Sequence, residues 1–260
     1  MFAQRILVLA PHPDDEVVGA GAAIMRARAA GSEVYVAYLS DGVPAAELMW
    51  PWAVKHRPER VAVRLEEAAQ VAQALGLRKV CARKIATRSL RFNLQSTLLG
   101  IRKCIHERAI ETVWVPAYEG GHQDHDAANF LASYLALHTR VWEFAEYNFV
   151  GARVRTNTFV SNTDAVCELH LSTLEQAHKR ELLARYRSER GNLSYVGTRV
   201  ERFRPLARYD YSTPPHSGRT FYQRFQWVPW HPRIDRTKPA DVCRSLMSFV
   251  HTTAQTTPAL

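Results

Sequence analysis

At 260 residues, 47% of them hydrophobic, the chain holds ample material for one moderately large domain with a buried core, and it shows no internal repeat, low-complexity segment or long linker. No apolar window approaches the length of a bilayer span and no secretory apolar stretch precedes the first strand. Four scattered cysteines, Cys81, Cys104, Cys167 and Cys243, lack both CxxC spacing and the density of a disulfide scaffold, so the chain is expected to be cytoplasmic with reduced cysteines.

In chain order, the run Ile6-Leu7-Val8-Leu9-Ala10 is short, apolar and β-branched at two positions, which predicts a buried strand near 5–10; the small-residue stretch from Gly19 predicts a helix near 17–29. Further strands are expected near 34–39, 79–82, 112–116 and 141–145, with helices near 58–75, 94–108, 124–137 and 172–187. Such alternation predicts an α/β fold, a mostly parallel sheet flanked by helices. Residues 1–145 form its core. From 146 to 260 the pattern loosens into aromatic and arginine-rich stretches, read as C-terminal strands and loops added over the site within the same domain.

Chemistry concentrates at two strand ends. The first carries Pro11-His12-Pro13-Asp14-Asp15-Glu16. Three acids and a histidine packed together repel and resist burial, and a divalent cation removes that cost. His12 and Asp15 offer ligands, with Asp14 left as a base. The competing reading is a helix cap, Asp14 or Asp15 accepting helix N–H groups and Glu16 favoured by the macrodipole. The second strand, Glu111 to Pro116, leads through Tyr118-Glu119-Gly120-Gly121 to His122-Gln123-Asp124-His125-Asp126. Hydrolytic zinc sites take three His or carboxylate ligands and leave one position open, and His12, Asp15 and one of His122 or His125 make such a set.

Together, His-Pro-Asp-Asp-Glu-x-x-Gly (His12 to Gly19) and Gly-Gly-His-x-Asp-His (Gly120 to His125) resemble the PIG-L/LmbE-like zinc-dependent N-acetyl-sugar deacetylases. Leu39-Ser40-Asp41-Gly42, Arg64-x-x-Glu67 and Leu75-Gly76 agree with that family, over residues 1 to about 145, and the run from Lys179 to Ser188 faintly resembles its helix ending in Tyr-x-Ser. The resemblance implies a Rossmann-like fold and one Zn2+ held by His12, Asp15 and His125. It further implies Asp14 as general base and His122 as the polar partner that stabilises the oxyanion or protonates the departing amine. Asp124 orients a neighbouring imidazole, and Arg64 contacts substrate hydroxyls or phosphate; Asp41 beside the first cluster and His216 in Thr213 to Arg219 are further substrate-side candidates. Gln123, where the family often has proline, and Pro11, where alanine is common, touch loop geometry and not the ligand set.

The expected substrate is a small N-acetylated amino sugar or glycoconjugate. Alternatives are an acylated antibiotic or other amide with the same chemistry, or a non-catalytic sugar- or metal-binding protein on the same fold. The net charge of +9 and the arginines from Arg180 to Arg208, interleaved with Tyr186, Tyr195, Phe203 and Tyr209, invite a nucleic-acid reading. Arginine excess runs through the whole chain, so it is read as a solvated surface, with an anionic glycoside a better use for it than nucleic acid. Gly19-Ala20-Gly21 lacks the third glycine of a dinucleotide fingerprint and is read as allowing close helix–sheet packing. Asn192-Leu193-Ser194 is a weak glycosylation match. Trp50 and Trp52 are read as a sugar wall or ordinary packing, and the aromatics of the C-terminal third are compatible with self-association. Loops 43–57, 86–92 and 188–220 are expected to set specificity.

Overall fold

The computed structural model describes residues 1–82, 84–161, 165–232 and 234–256; the side chains of Cys81, Ala82 and 251–256 lie outside the described set, and with them the expectations for Cys81 and His251. Strands β1 (Arg5–Ala10), β2 (Glu33–Tyr38), β3 (Arg78–Ala82), β4 (Thr112–Pro116) and β5 (Arg140–Phe144) pair in parallel. Two strands from the second half, β8 (Cys167–His170) and β9 (Val200–Pro205), extend the sheet antiparallel beyond β5, in the order β3-β2-β1-β4-β5-β9-β8. A short hairpin, β6 (Tyr147–Asn148) with β7 (Arg155–Thr156), stands apart. The five parallel strands fall within one residue of their expected places; β1, β2 and β4 are buried along nearly their whole length and read as largely apolar runs.

Helices α1 (Asp15–Ala29), α3 (Arg57–Ala74) and α6 (Thr173–Arg185) cover one face of the sheet, over a core that includes Ile6, Val8, Val36, Trp114, Phe144 and Phe203. Helices α4 (Leu94–Glu107), α5 (Gln123–Leu135) and α7 (Pro239–Thr256) cover the other, over Leu7, Leu9, Val113, Val115, Phe130 and Leu246. A single turn, α2 (Pro51–Val54), lies in the loop after β2. The C-terminal part is thus more than strands and loops: α7 spans 18 residues and buries Val242, Leu246 and Phe249 at helical spacing against α5.

Because β1 is flanked by β2 and β4, the chain reverses its winding direction between β1 and β4. The carboxyl ends of those two strands form the crevice where open α/β sheets bind ligands. Both acidic clusters lie there. Gly19 permits the fit of α1 on the sheet: a Cβ would stand 2.2 Å from Phe144 Cδ2 and 2.9 Å from Glu146 Cγ. Close packing, not dinucleotide binding, therefore accounts for this glycine. Gly19→Ala is expected to lower unfolding free energy by about 1–3 kcal/mol through overpacking, read by urea denaturation; a neutral result would show that the helix can shift freely.

Candidate metal centre and cavity

Pro13 and Asp14 turn the chain from β1 into α1, with Asp14 at φ 138°, a conformation that costs energy for any residue but glycine. Glu16 holds this turn. One of its carboxylate oxygens accepts the Asp14 N–H at 3.1 Å, the other the hydroxyls of Tyr38 (3.2 Å) and Tyr186. The Asp14 side chain makes no capping hydrogen bond, and Asp15 reaches backwards to accept the His12 N–H at 2.7 Å. The helix-cap reading therefore fails for both residues, and their carboxylates face the cavity.

Three donor groups converge from the two strand ends. His12 Nδ1 lies 3.3 Å from Asp15 Oδ2 and 3.3 Å from His125 Nε2, and His125 Nε2 lies 3.3 Å from Asp15 Oδ1. Ligands at the usual zinc distances of about 2.0–2.1 Å in a tetrahedron stand about 3.3–3.4 Å apart. The remaining nitrogens are anchored from outside: His12 Nε2 by Asp124 Oδ2 (3.1 Å) and Thr87 Oγ1 (2.9 Å), His125 Nδ1 by Glu146 Oε2 (3.1 Å). Such carboxylate partners fix the tautomer and turn the free nitrogen toward a metal. His12, His122 and Asp124 also cluster, but His122 Nδ1 and the Asp124 carboxylate already take part in hydrogen bonds. His122 Nδ1 accepts the Asp124 N–H (3.1 Å), and Asp124 accepts the N–H groups of Arg88 (2.6 Å) and Leu90 (3.0 Å). Both groups could hold a metal ion, and in His12, Asp15 and His125 the donor groups stand at the spacing of a tetrahedral site.

The electrostatics agree. Burial alone would lower the His12 pKa, yet the charge of Asp15 and the bond to Asp124 push it up to about 9; the His125 imidazole is likewise raised against its burial, by Asp15 and Glu146. The two imidazoles hold Asp15 well below the usual carboxylate range. The centre thus draws positive charge. Asp14 is different: burial pushes it up to about 7, opposed by Arg64, which stands 3.2 Å from its Oδ2, and reinforced by Asp15. His122 is driven well below its ordinary pKa by burial and by His12, so it is neutral. With Nδ1 accepting a hydrogen bond, its proton sits on Nε2.

His12, Asp14, Asp15 and His122 line a cavity of about 330 Å³ together with Arg64, Thr87, Arg88, Tyr147, Tyr195, Phe221, Tyr222 and Arg224. Arg64, expected on the substrate side, lines the cavity with its terminal nitrogens engaged by the protein. It donates to Pro13 O (2.7 Å) and to Asp14, and pairs with Glu189 at 3.3 Å. Gly42, at φ +72°, admits it, since a Cβ there would meet Arg64 Nε at 2.7 Å. Asp41 and His216 are not among the lining residues. Asp41 accepts the Val43 N–H (2.9 Å) and pairs with Arg57 (2.7 Å), closing the turn after β2, and His216 contacts the Ser217 carbonyl. Trp50 and Trp52 stack on each other at 4.8 Å, outside the lining. Glu146 and Thr87 were not singled out from sequence. Glu146, two residues past β5, is an acid at the same end of the sheet as both clusters, which was the available signal.

No helix among the described residues is long and apolar enough to cross a membrane. Among curated proteins none matches the chain in sequence. Solved structures do match in fold. A deacetylase of the teicoplanin biosynthesis pathway superposes with a TM-score of 0.61 at 19% identity, covering 79% of this chain and 99% of its own. The deacetylase of A40926 pseudoaglycone gives 0.59 at 18%, covering 80% and 98%. The N,N'-diacetylchitobiose deacetylase of Pyrococcus horikoshii gives 0.53 at 18%, covering 82% and 85%. The family PIG-L, GlcNAc-PI de-N-acetylase, matches residues 7–136, which include both clusters and all three converging donors. The chain belongs to the PIG-L family.

Proposed function

We propose that the protein is a zinc-dependent deacetylase that hydrolyses the N-acetyl group of an amino sugar in a small glycoconjugate, releasing acetate and a free amine. The observation that carries this reading is the equal 3.3 Å spacing of His12 Nδ1, Asp15 carboxylate and His125 Nε2, with Asp14 beside them and bound to none. Family membership and the deacetylase neighbours support it. His12, Asp15 and His125 would hold Zn2+, which when bound acidifies water and polarises the acetamide carbonyl.

The residues divide the rest of the work. Asp14, ionisable near neutrality, takes the proton of the attacking water at its carboxylate, and the Arg64 fork fixes where that carboxylate points. His122 presents Nε2–H to the oxygen that becomes negative as the carbonyl turns tetrahedral. Being neutral, it serves as an oxyanion donor before it serves as an acid for the amine. Glu146 and Asp124 keep the two imidazoles oriented. An intact base argues against a mere binding protein, which has no use for one.

Acetate release from N-acetylglucosaminides tests the reading. Activity is expected to vanish after chelation and to return with about one equivalent of Zn2+ per chain. Undiminished hydrolysis by the metal-free protein, or failure to bind any divalent ion, would overturn it.

A further inference from the structure

Several arginines line the cavity, and two of them have an acid close by: Arg64 is held by Asp14 and Glu189, and Arg88 Nε stands 3.9 Å from Asp235. Arg224 differs. Its guanidinium lies 3.6 Å over the Phe221 ring and 4.6 Å from the Phe225 ring centre, and Nη1 donates to the Phe221 carbonyl at 2.9 Å. No carboxylate among the described residues pairs with it, and its Nε and Nη2 have no acceptor there. Two flanking rings and one backbone bond fix the planar fork without neutralising its charge. A partly buried guanidinium held this way is pre-organised for a planar or tetrahedral oxyanion.

Its location is also defined. Phe221 packs on Tyr147 at 4.6 Å, and Tyr147 packs edge-on against His125 at 5.4 Å. Two ring contacts therefore link Arg224 to a ligand of the metal centre, along one wall of one cavity. The arginines between Arg180 and Arg208, by contrast, are largely spoken for or turned outward: Arg185 bonds Glu181, Arg202 bonds Glu168 and Arg204 is buried on Glu143, while Arg187, Arg190, Arg199 and Arg208 are exposed.

We propose that Arg224 receives an oxyanion, a phosphate or a carboxylate, carried by the same sugar whose amide meets the metal centre, and so selects anionic over neutral substrates. The proposal rests on the deacetylase reading only for the position of that amide. Binding can be read without an amide, by titrating glucose, glucuronate and glucose 6-phosphate against the tryptophan fluorescence of the zinc-loaded protein. At least one anion is expected to bind about tenfold or more tightly than glucose, the scale of a charge-assisted hydrogen bond, and the arm that does so identifies carboxylate or phosphate.

Arg224→Met is expected to bring that ratio to near one. Should it not fold, Arg224→Gln carries the same test, keeping a stacked planar group without the charge. Indifference of the wild type to all three sugars, or a preference that survives loss of the guanidinium, overturns the proposal. Acetate release from N-acetylglucosamine and its 6-phosphate then separates the two readings. An Arg224-dependent preference in binding with no acetate from either sugar sinks the deacetylase and leaves the anion site standing. Equal kcat/KM for both, with indifferent binding, does the reverse.

Discussion

Asp14→Asn is expected to retain about one zinc per chain and to lose turnover by about 10²–10⁴-fold, the usual worth of a positioned general base. Asparagine keeps the shape and can still accept from Arg64, which reaches Asp14 Oδ2 at 3.2 Å and 3.3 Å, so the strained turn at φ 138° keeps its support. What disappears is the site for a proton. His125→Ala is the contrast: it removes one of the three converging donors and should lose both metal and activity. Elemental analysis beside acetate release distinguishes the roles. Should Asp14→Asn come out metal-free, Asp14 would be a ligand and the division of labour between the two neighbouring aspartates would be wrong.

Lys179→Met should destabilise the fold by about 3–5 kcal/mol, the scale of stranding one half of a buried ion pair. Lys179 and Glu201 are both fully buried and 2.6 Å apart. Lys179 Nζ also donates to the Val18 carbonyl at 2.8 Å, while Glu201 accepts the N–H groups of Ala22 (2.8 Å) and Ala23 (2.9 Å). The pair is wedged against the middle of α1, so the C-terminal elements α6 and β9 are stitched to the helix that begins at Asp15. Equilibrium urea unfolding of the variant measures the loss, and adding Glu201→Gln should recover part of it by removing the stranded charge. An unchanged unfolding midpoint for Lys179→Met would show that water or a shifted side chain satisfies Glu201.

That pair also shows where sequence reading stops. The parallel core was legible because Ile6 to Ala10 and Val113 to Pro116 are apolar without interruption, and the meeting of His12, Asp15 and His125 because two motif segments sit at two strand ends. Strand β9 was not: Val200–Pro205 carries three charged residues in six, yet Glu201 and Arg204 are buried, on Lys179 and Glu143. A pattern that assigns charge to solvent puts such a strand inside out. Helix α7 did carry a signal, Val242, Leu246 and Phe249 at helical spacing, hidden among the surrounding aromatics and arginines. Arg64 illustrates a different limit, since its spacing in α3 is readable but its capture by Asp14 and Glu189 depends on a tertiary crossing. Arg224 lies four residues past the last loop expected to shape specificity, and nothing in its local sequence marks it.

The segment from Tyr186 to Glu189 joins properties usually treated as separate. Tyr186 bonds the Glu16 that supports the Asp14 turn, Ser188 bonds Glu67 of α3, and Glu189 holds the Arg64 that meets Asp14, while Ser188 and Glu189 also face the cavity. Loop grafting in this stretch to redirect substrate choice is therefore expected to retune Asp14, the proposed base, in the same stroke. Directed evolution of this enzyme should yield variants in which a new specificity arrives with a shifted pH optimum, and restoring the optimum will require compensating changes at Arg64 or Glu67 rather than in the grafted loop.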